Sequence, residues 1–441
     1  MIRLAALVMS VLLLAGCGQL RPIAPPGCAV IAYRLLPSPQ DPHAFLTENR
    51  APREFGEVLL SRLRAPQSAP NGPRQVLVLS GGGQHGAFGA GFFLGLPRVP
   101  DYQVVTGVST GSLQSTLIFL ANQPEPADRT ALPAYMSLSP DLAKPGQSNL
   151  HDLALAYAIQ KEGDLMKVGS PLRAVTKGSI ATFGPLHDLL QALITHDTIV
   201  AVAAEARKGR SLFVGITDLD DGYGYAVDLT EMAKQAVDRQ AVDAGAVDRM
   251  IPCYIDSLIA SSTVPPGVPP VSLNIAGSPQ ADMFMDGGAR FGVFFDQLRS
   301  VAKSDGSTDM TVIVNGALYG GPWLDDKGQR ISQWSVASFG LRAVDMMENQ
   351  VYRLSVGDAE QWAVDNGTLR MAFISNEKLS VMTGDPDQWV YDGRTCAAAS
   401  AADAASKPIQ FHPKYMRCLI DYGQKRGARD PWNKVLPPSA K

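Results

Sequence analysis

Three short runs, 75-QVLVL-79, 102-YQVVTGV-108 and 211-SLFVGIT-217, constrain the fold most. None carries a charge, and none alternates apolar with polar as a half-exposed strand does. Continuous apolar runs of this length suit strands covered on both faces, the condition of a parallel sheet. Helical patterns separate them: 87-AFGAGFFLGL-96, 111-GSLQSTLIFLA-121 and one or two helices over 184–208. Further along, 249-RMIPCYIDSLIASS-262 reads as an apolar-faced helix, 281-ADMFMDGG-288 and 310-MTVIVNG-316 as strands, 335–365 as a long helix and 369-LRMAFIS-375 as a late strand. Its Met-rich stretch, 345-DMMENQVY-352, reads as core. Strand–helix alternation argues for an α/β fold, a three-layer sandwich with a mostly parallel central sheet. A short helix is expected over 50–64.

The 441 residues are 46% hydrophobic, enough for a substantial core, and the net charge of −3 with no basic run gives no support for a nucleic-acid partner. The N-terminus, MIRLAALVMSVLLLAGCGQL, has one Arg and then an apolar run from Leu4 to Ala15. That run is short for a membrane span and suits the apolar region of a signal peptide. It ends in Leu14-Ala15-Gly16-Cys17, which resembles the lipobox of bacterial lipoproteins; a plain secretory signal is the alternative. A lipidated Cys17 implies a mature chain tethered by acyl chains in the bacterial cell envelope. Gly18, in place of an Asp, favours the outer membrane, facing the periplasm. Cys28, Cys253, Cys396 and Cys418 would then remain in an oxidising compartment, with Cys396–Cys418 the most local of the possible pairings.

Three motifs carry chemistry. Gly81-Gly82-Gly83-Gln84-His85-Gly86 follows a strand and precedes a helix, as a dinucleotide-binding turn does. That reading needs an acidic residue near the end of the next strand, which ends instead in Thr106-Gly107-Val108-Ser109. Gly107-Val108-Ser109-Thr110-Gly111 has the strand–turn–helix context of a nucleophile elbow, with Gly107 and Gly111 relieving a crowded turn. Asp286-Gly287-Gly288 places a carboxylate at a strand end, which by itself is also an ordinary turn.

In this order and spacing the three motifs, with 260-ASSTVPPGVPPV-271 before the last, resemble the patatin-like phospholipase family across residues 75–295. The segments 217-TDLDDG-222 and 181-ATFGPLHDLL-190 resemble that family's middle region. The resemblance implies a serine acyl hydrolase that cleaves fatty acyl esters of phospholipids or lysophospholipids. Ser109 would be the nucleophile and Asp286 its base, without a histidine. Backbone N–H groups of the glycine run, Gly81, Gly82, Gly83 and Gly86, would form the oxyanion hole, and Gly287 and Gly288 complete the Asp motif. The resemblance implies no cofactor and no metal, and membrane lipids are the expected partners. Nothing in the sequence sets an oligomeric state.

Family members commonly carry Arg or Lys where His85 stands, so His85 is a candidate for head-group contact or for orienting the glycine turn. Two other readings stay open: a non-catalytic envelope lipoprotein that uses the fold as a lipid-binding module, and an α/β-hydrolase whose only histidine downstream of Asp286 is His412. The expected organisation is a signal peptide (1–16), a linker with a short helix (17–73), the hydrolase domain (74–380) and an irregular extension (381–441). The segment 263-TVPPGVPPV-271 is either a turn packed beside the site or a rigid helix terminator.

Overall fold

Adjacent residues of one strand face two different cores. Leu77 and Leu79 pack with Phe88 and Phe92, while Val76 and Val78 pack on the other side with Phe55 and Phe213. All four strand residues are fully buried, as the uninterrupted apolar run requires. The computed structural model describes residues 29–35, 55–64, 74–169, 178–278, 280–294, 308–316, 318, 336–366, 368–374, 388–404, 406, 408–429, 431–432 and 434–436. The signal peptide, Cys17 and Cys28 lie outside the described residues.

The first half of the chain supplies β1 (Ala29–Val30), β2 (Ala32–Arg34), α1 (Phe55–Arg64), β3 (Arg74–Leu79), α2 (Gly86–Gly95), β4 (Val104–Val108), α3 (Thr110–Phe119) and α4 (Asn149–Tyr157). A small hairpin, β5 (Lys167–Val168) and β6 (Ala181–Thr182), precedes α5 (Gly184–Leu193) and α6 (His196–Arg207). Then come β7 (Ser211–Asp218), β8 (Gly224–Asp228), α7 (Leu229–Arg239), α8 (Ala246–Ala260), β9 (Val271–Ile275) and β10 (Asp282–Asp286). The last part holds β11 (Thr308–Val314), α9 (Val336–Asn366), β12 (Thr368–Phe373), β13 (Val390–Tyr391), β14 (Arg394–Thr395), α10 (Cys396–Ala404), α11 (Pro413–Arg429) and β15 (Lys434–Leu436).

The main sheet runs β1-β9-β10-β7-β4-β3-β11-β12-β15, with β8 on β7 and β2 on β8. Its centre, β7-β4-β3-β11-β12, is parallel throughout. Antiparallel strands flank it: β15 on β12, and β8 and β10 on β7. Helices on both faces complete the three-layer α/β sandwich expected from the alternation. The sequence patterns match the strands β3, β4, β7, β10, β11 and β12, and the 184–208 segment divides into the two helices α5 and α6.

The C-terminal part departs from the expected irregular extension. Residues 413–429 form the 17-residue helix α11, and β15 adds an antiparallel margin to the central sheet. Tyr415, Met416, Leu419, Ile420 and Tyr422 give α11 a buried apolar face, and this face meets α2. Glycines permit the close approach. A Cβ on Gly91 would lie 2.1 Å from the carbonyl oxygen of Ile420, and one on Gly423 would lie 2.2 Å from that of Phe88. A disulfide between Cys396 and Cys418 joins α10 to α11, with Cα atoms 5.5 Å apart, and Cys253 is disulfide-bonded as well. The Met-rich stretch of α9 is also not the core it resembles: Met346 is 58% and Met347 61% exposed, while Tyr352 on the same helix is buried.

Candidate active site

β7 is longer than β4, and this difference builds the site. β4 pairs with β7 up to Val108 opposite Gly215, and there it ends. β8 occupies the other edge of β7, so β10 takes the edge β4 has vacated, with Asp286 opposite Ile216. The residue after Val108 and the last residue of β10 therefore converge.

Ser109 turns the chain from β4 into α3 with φ 53° and ψ −127°, a left-handed conformation for a non-glycine residue. Such strain costs about 1–3 kcal/mol and persists where packing enforces it. The enforcing contacts are visible. A Cβ on Gly107 would lie 2.5 Å from the Gly111 carbonyl oxygen, and one on Gly111 would lie 2.6 Å from that of Leu79. The Ser109 N–H donates to Ser261 Oγ at 3.0 Å, and the Ser261 hydroxyl donates in turn to the Gly215 carbonyl at 2.6 Å. Ser261 thus ties the elbow to β7. It lies in the segment already singled out around residues 260–271, but its sequence context carries no sign of this role.

Asp286 is 1% exposed. Its N–H donates to the Thr263 carbonyl at 2.8 Å, and its Oδ1 accepts the Gly288 N–H at 2.7 Å. The segment after α8 therefore does pack beside the site. Gly287 permits the turn to lie on β7, since a Cβ there would come 2.7 Å from the Gly215 carbonyl oxygen. Ser109 acts directly on the carboxylate and favours its charged form, with no imidazole between them. Burial pushes the Asp286 carboxyl up to about 7, against the opposing influence of Ser109 and of the Gly288 N–H. A carboxylate with that affinity can accept a proton near neutral pH, where an ordinary Asp is a poor base.

The glycine loop lies against this pair. Gly82 has φ 147° and Gly83 φ 54°. A Cβ on Gly81 would fall 2.2 Å from the Tyr352 hydroxyl oxygen and 2.9 Å from Ser109 Cβ. Asn315 fixes the loop from behind: its N–H donates to Ser80 Oγ at 2.9 Å, and its Nδ2 donates to the Ser80 carbonyl and Gln114 Oε1, both at 3.1 Å. Gly86 has a different place from its neighbours. Its N–H points back to the carbonyls of Gln84 and Gly83, and its missing Cβ makes room for Thr110 Oγ1 and the Tyr157 ring. Its part is close packing of the helix start, which removes it from the set of donors expected of the loop. His85 Nδ1 lies 3.1 Å from the Gly82 carbonyl oxygen, which can only accept. The ring therefore pins the glycine turn, and its edge meets Tyr415 of α11 with ring centroids 5.9 Å apart.

From Ser109 a cleft, partly open to solvent, runs between α3, α4 and α5. Leu113, Leu117, Leu153, Phe183, Leu186 and Leu190 are among its walls, and Gly83, Ser262, Glu348 and Gln410 also line it. Tyr352 and Gln410 are neighbours of the site that no motif announces; both come from beyond residue 300. Among the described residues no group of His, Cys, Asp and Glu is placed to hold a metal.

No curated protein matches the sequence. Among solved structures, the crystal structure of VipD from Legionella pneumophila is similar at 13% identity, with a TM-score of 0.28, covering 82% of this chain and 69% of that one. The family model described as patatin-like phospholipase matches residues 77–299, just over half of the chain, and takes in the glycine loop, the Ser109 elbow and the Asp286 turn. The chain belongs to the patatin-like phospholipase family.

Proposed function

We propose that the protein is a serine acyl hydrolase that cleaves fatty acyl esters of phospholipids or lysophospholipids. The observation that carries the reading is the convergence of Ser109, held in a strained turn, on the buried carboxylate of Asp286, which it influences directly. The apolar cleft running from the same serine supplies a place for an acyl chain.

The proposed reaction has two halves. Ser109 Oγ attacks the ester carbonyl carbon while its proton passes to Asp286. The charge that forms on the carbonyl oxygen meets backbone N–H groups of Gly82 and Gly83, and one such donor is worth about 3 kcal/mol. Collapse expels the alcohol, which takes the proton back from Asp286 and leaves an acyl-Ser109 ester. Water then gives a proton to Asp286 and attacks this ester. The second collapse releases the fatty acid and returns the proton to Ser109.

Lipidation of Cys17 and an outer-membrane location, facing the periplasm, belong to the same reading, because a tether would hold the cleft at its lipid. The alternative of a non-catalytic binding module is disfavoured by the strained serine: a binding role gives no reason to maintain a costly backbone conformation at this residue.

The test is covalent labelling of Ser109 by an alkyl fluorophosphonate, together with fatty acid release from lysophospholipid. Labelling and release that both vanish in Ser109→Ala, with the fold retained by circular dichroism, support the reading. A folded protein that neither labels nor hydrolyses would sink it.

A further inference from the structure

Residues 409–412 cross the site as a strap. Three consecutive N–H groups converge on the Glu162 carboxylate: Ile409 donates to Oε2 at 3.0 Å, and Gln410 and Phe411 donate to Oε1 at 2.7 and 3.0 Å. The next, His412, donates to Oε1 of Gln84, a residue of the glycine loop itself, at 3.0 Å. Charge-assisted bonds to backbone N–H groups are the stronger class, so Glu162 defines the strap's path. Both flanks are fixed independently. The Cys396–Cys418 disulfide lies behind it, and Asp403 Oδ2 accepts the N–H groups of Lys414 and Tyr415 at 2.7 and 3.1 Å where α11 begins.

This path brings two side chains to the cleft. Phe411 is buried and lines it, and Gln410 is exposed and lines it beside Gly83, with Nε2 3.2 Å from where a Gly83 Cβ would be. An acyl chain inside the apolar cleft places its ester at Ser109 and the glycine loop. The leaving alcohol then points outward, past the exposed Gln410 amide. The strap lies outside residues 77–299, the region the family model matches.

We propose that Gln410 is a specificity-determining residue that donates a hydrogen bond to an oxygen on the leaving-alcohol side of the ester. Glu162 is the positioning residue that holds Gln410, and Phe411 over the acyl chain, in place. The inference rests on the acyl-hydrolase reading and adds to it which part of the substrate is recognised: a polar, oxygen-rich alcohol such as a glycerophosphate.

The test compares two substrates with one acyl chain, palmitoyl lysophosphatidylcholine and p-nitrophenyl palmitate, with kcat and KM measured separately. Gln410→Ala is expected to raise KM for the lysophospholipid by about three- to tenfold, the usual worth of one hydrogen bond. It should leave kcat and the p-nitrophenyl ester within about twofold. Glu162→Ala should reproduce that loss of discrimination on top of a loss common to both esters from the released Phe411, and Glu162→Gln, which keeps one oxygen acceptor, should restore part of both. Binding of lysophosphatidylcholine to Ser109→Ala, with and without Gln410→Ala, gives the same contrast without turnover. An unchanged ratio between the two substrates, or equal losses on both, in a wild-type enzyme that turns over would overturn the role of the strap alone. A wild-type protein that neither labels at Ser109 nor hydrolyses either ester would overturn the underlying reading.

Discussion

Ser109 and Asp286 meet because consecutive residues of β7, Gly215 and Ile216, hold the two strands that carry them. Nearly the whole span between them in sequence is closed by one register. The same register explains the glycines on either side: Gly287 must lie on the Gly215 carbonyl, and Gly107 must accept the turn of α3. A pair held by sheet register is rigid, which suits the proposed proton transfer between them.

Asp286→Asn separates the cost of the carboxylate from its use. Burial raises the carboxyl from its ordinary value to about 7. Between the unfolded value near 4 and about 7, the folded state binds more protons than the unfolded state, so stability falls as pH rises through that window. The neutral Asn variant has no such loss and keeps an oxygen for the Gly288 N–H. We expect its melting temperature at pH 8 to equal or exceed that of wild type while hydrolysis disappears. For wild type, kcat/KM should climb with pH and level off above about 7. A flat profile from pH 5 to 8, or an active Asn variant, would exclude Asp286 as the base.

Gly81→Ala tests how tightly the glycine loop is fitted. The new methyl would lie 2.2 Å from the Tyr352 hydroxyl oxygen and 2.9 Å from Ser109 Cβ. Neither distance is tolerable, and the nucleophile is the atom least able to move without consequence. The expected loss is about a hundredfold in kcat, the scale of a 1 Å misplacement, in a protein that remains folded. Adding Tyr352→Phe should restore only part of it, because the contact with Ser109 remains. Full activity in Gly81→Ala would mean that the loop adapts freely.

How much of this was legible in sequence follows from how local each cause is. β3, β4 and β7 were readable because burial on both faces is written into each run by itself. Ser109 and Asp286 were readable because strained turns demand glycines at fixed offsets. The helix α11 was not, since its apolar face has meaning only against Gly91 and Gly95 of α2, more than 300 positions earlier. Gln410 and Glu162 were hidden for the same reason: a carboxylate that binds three backbone N–H groups leaves no pattern around itself. In 345-DMMENQVY-352 composition misled, because the methionines face outward and the tyrosine faces the site.

Arg129→Ala should destabilise the helical layer without touching the chemistry. The Arg129 and Asp152 side chains are both fully buried, and Nη1 lies 3.3 Å from Asp152 Oδ2 and 3.0 Å from Asn149 Oδ1. Nε donates to the Leu193 carbonyl at 3.1 Å and Nη2 to Thr198 Oγ1 at 3.3 Å, and Glu125 completes the cluster. One side chain thus links the segment before α4 to α4, α5 and α6. Its removal strands a buried carboxylate, which costs about 3–5 kcal/mol. Chemical denaturation should show that loss, while kcat of the folded fraction stays near wild type. A loss below about 1 kcal/mol would show that Asp152 finds another partner.

Leu190→Trp tests whether the cleft holds the acyl chain. Leu190 is 3% exposed and lines the cleft on α5, with Leu186 one turn earlier on the same wall. An indole there fills space that a long chain would need, while Ser109, Asp286 and the glycine loop are untouched. Among p-nitrophenyl esters of increasing length, short chains should retain their kcat/KM and long chains should lose about tenfold or more, since each buried methylene is worth about 0.8 kcal/mol. The cut-off length then measures the depth from Ser109 to residue 190. A uniform loss across all lengths would indicate general damage, and no loss at any length would place the acyl chain elsewhere.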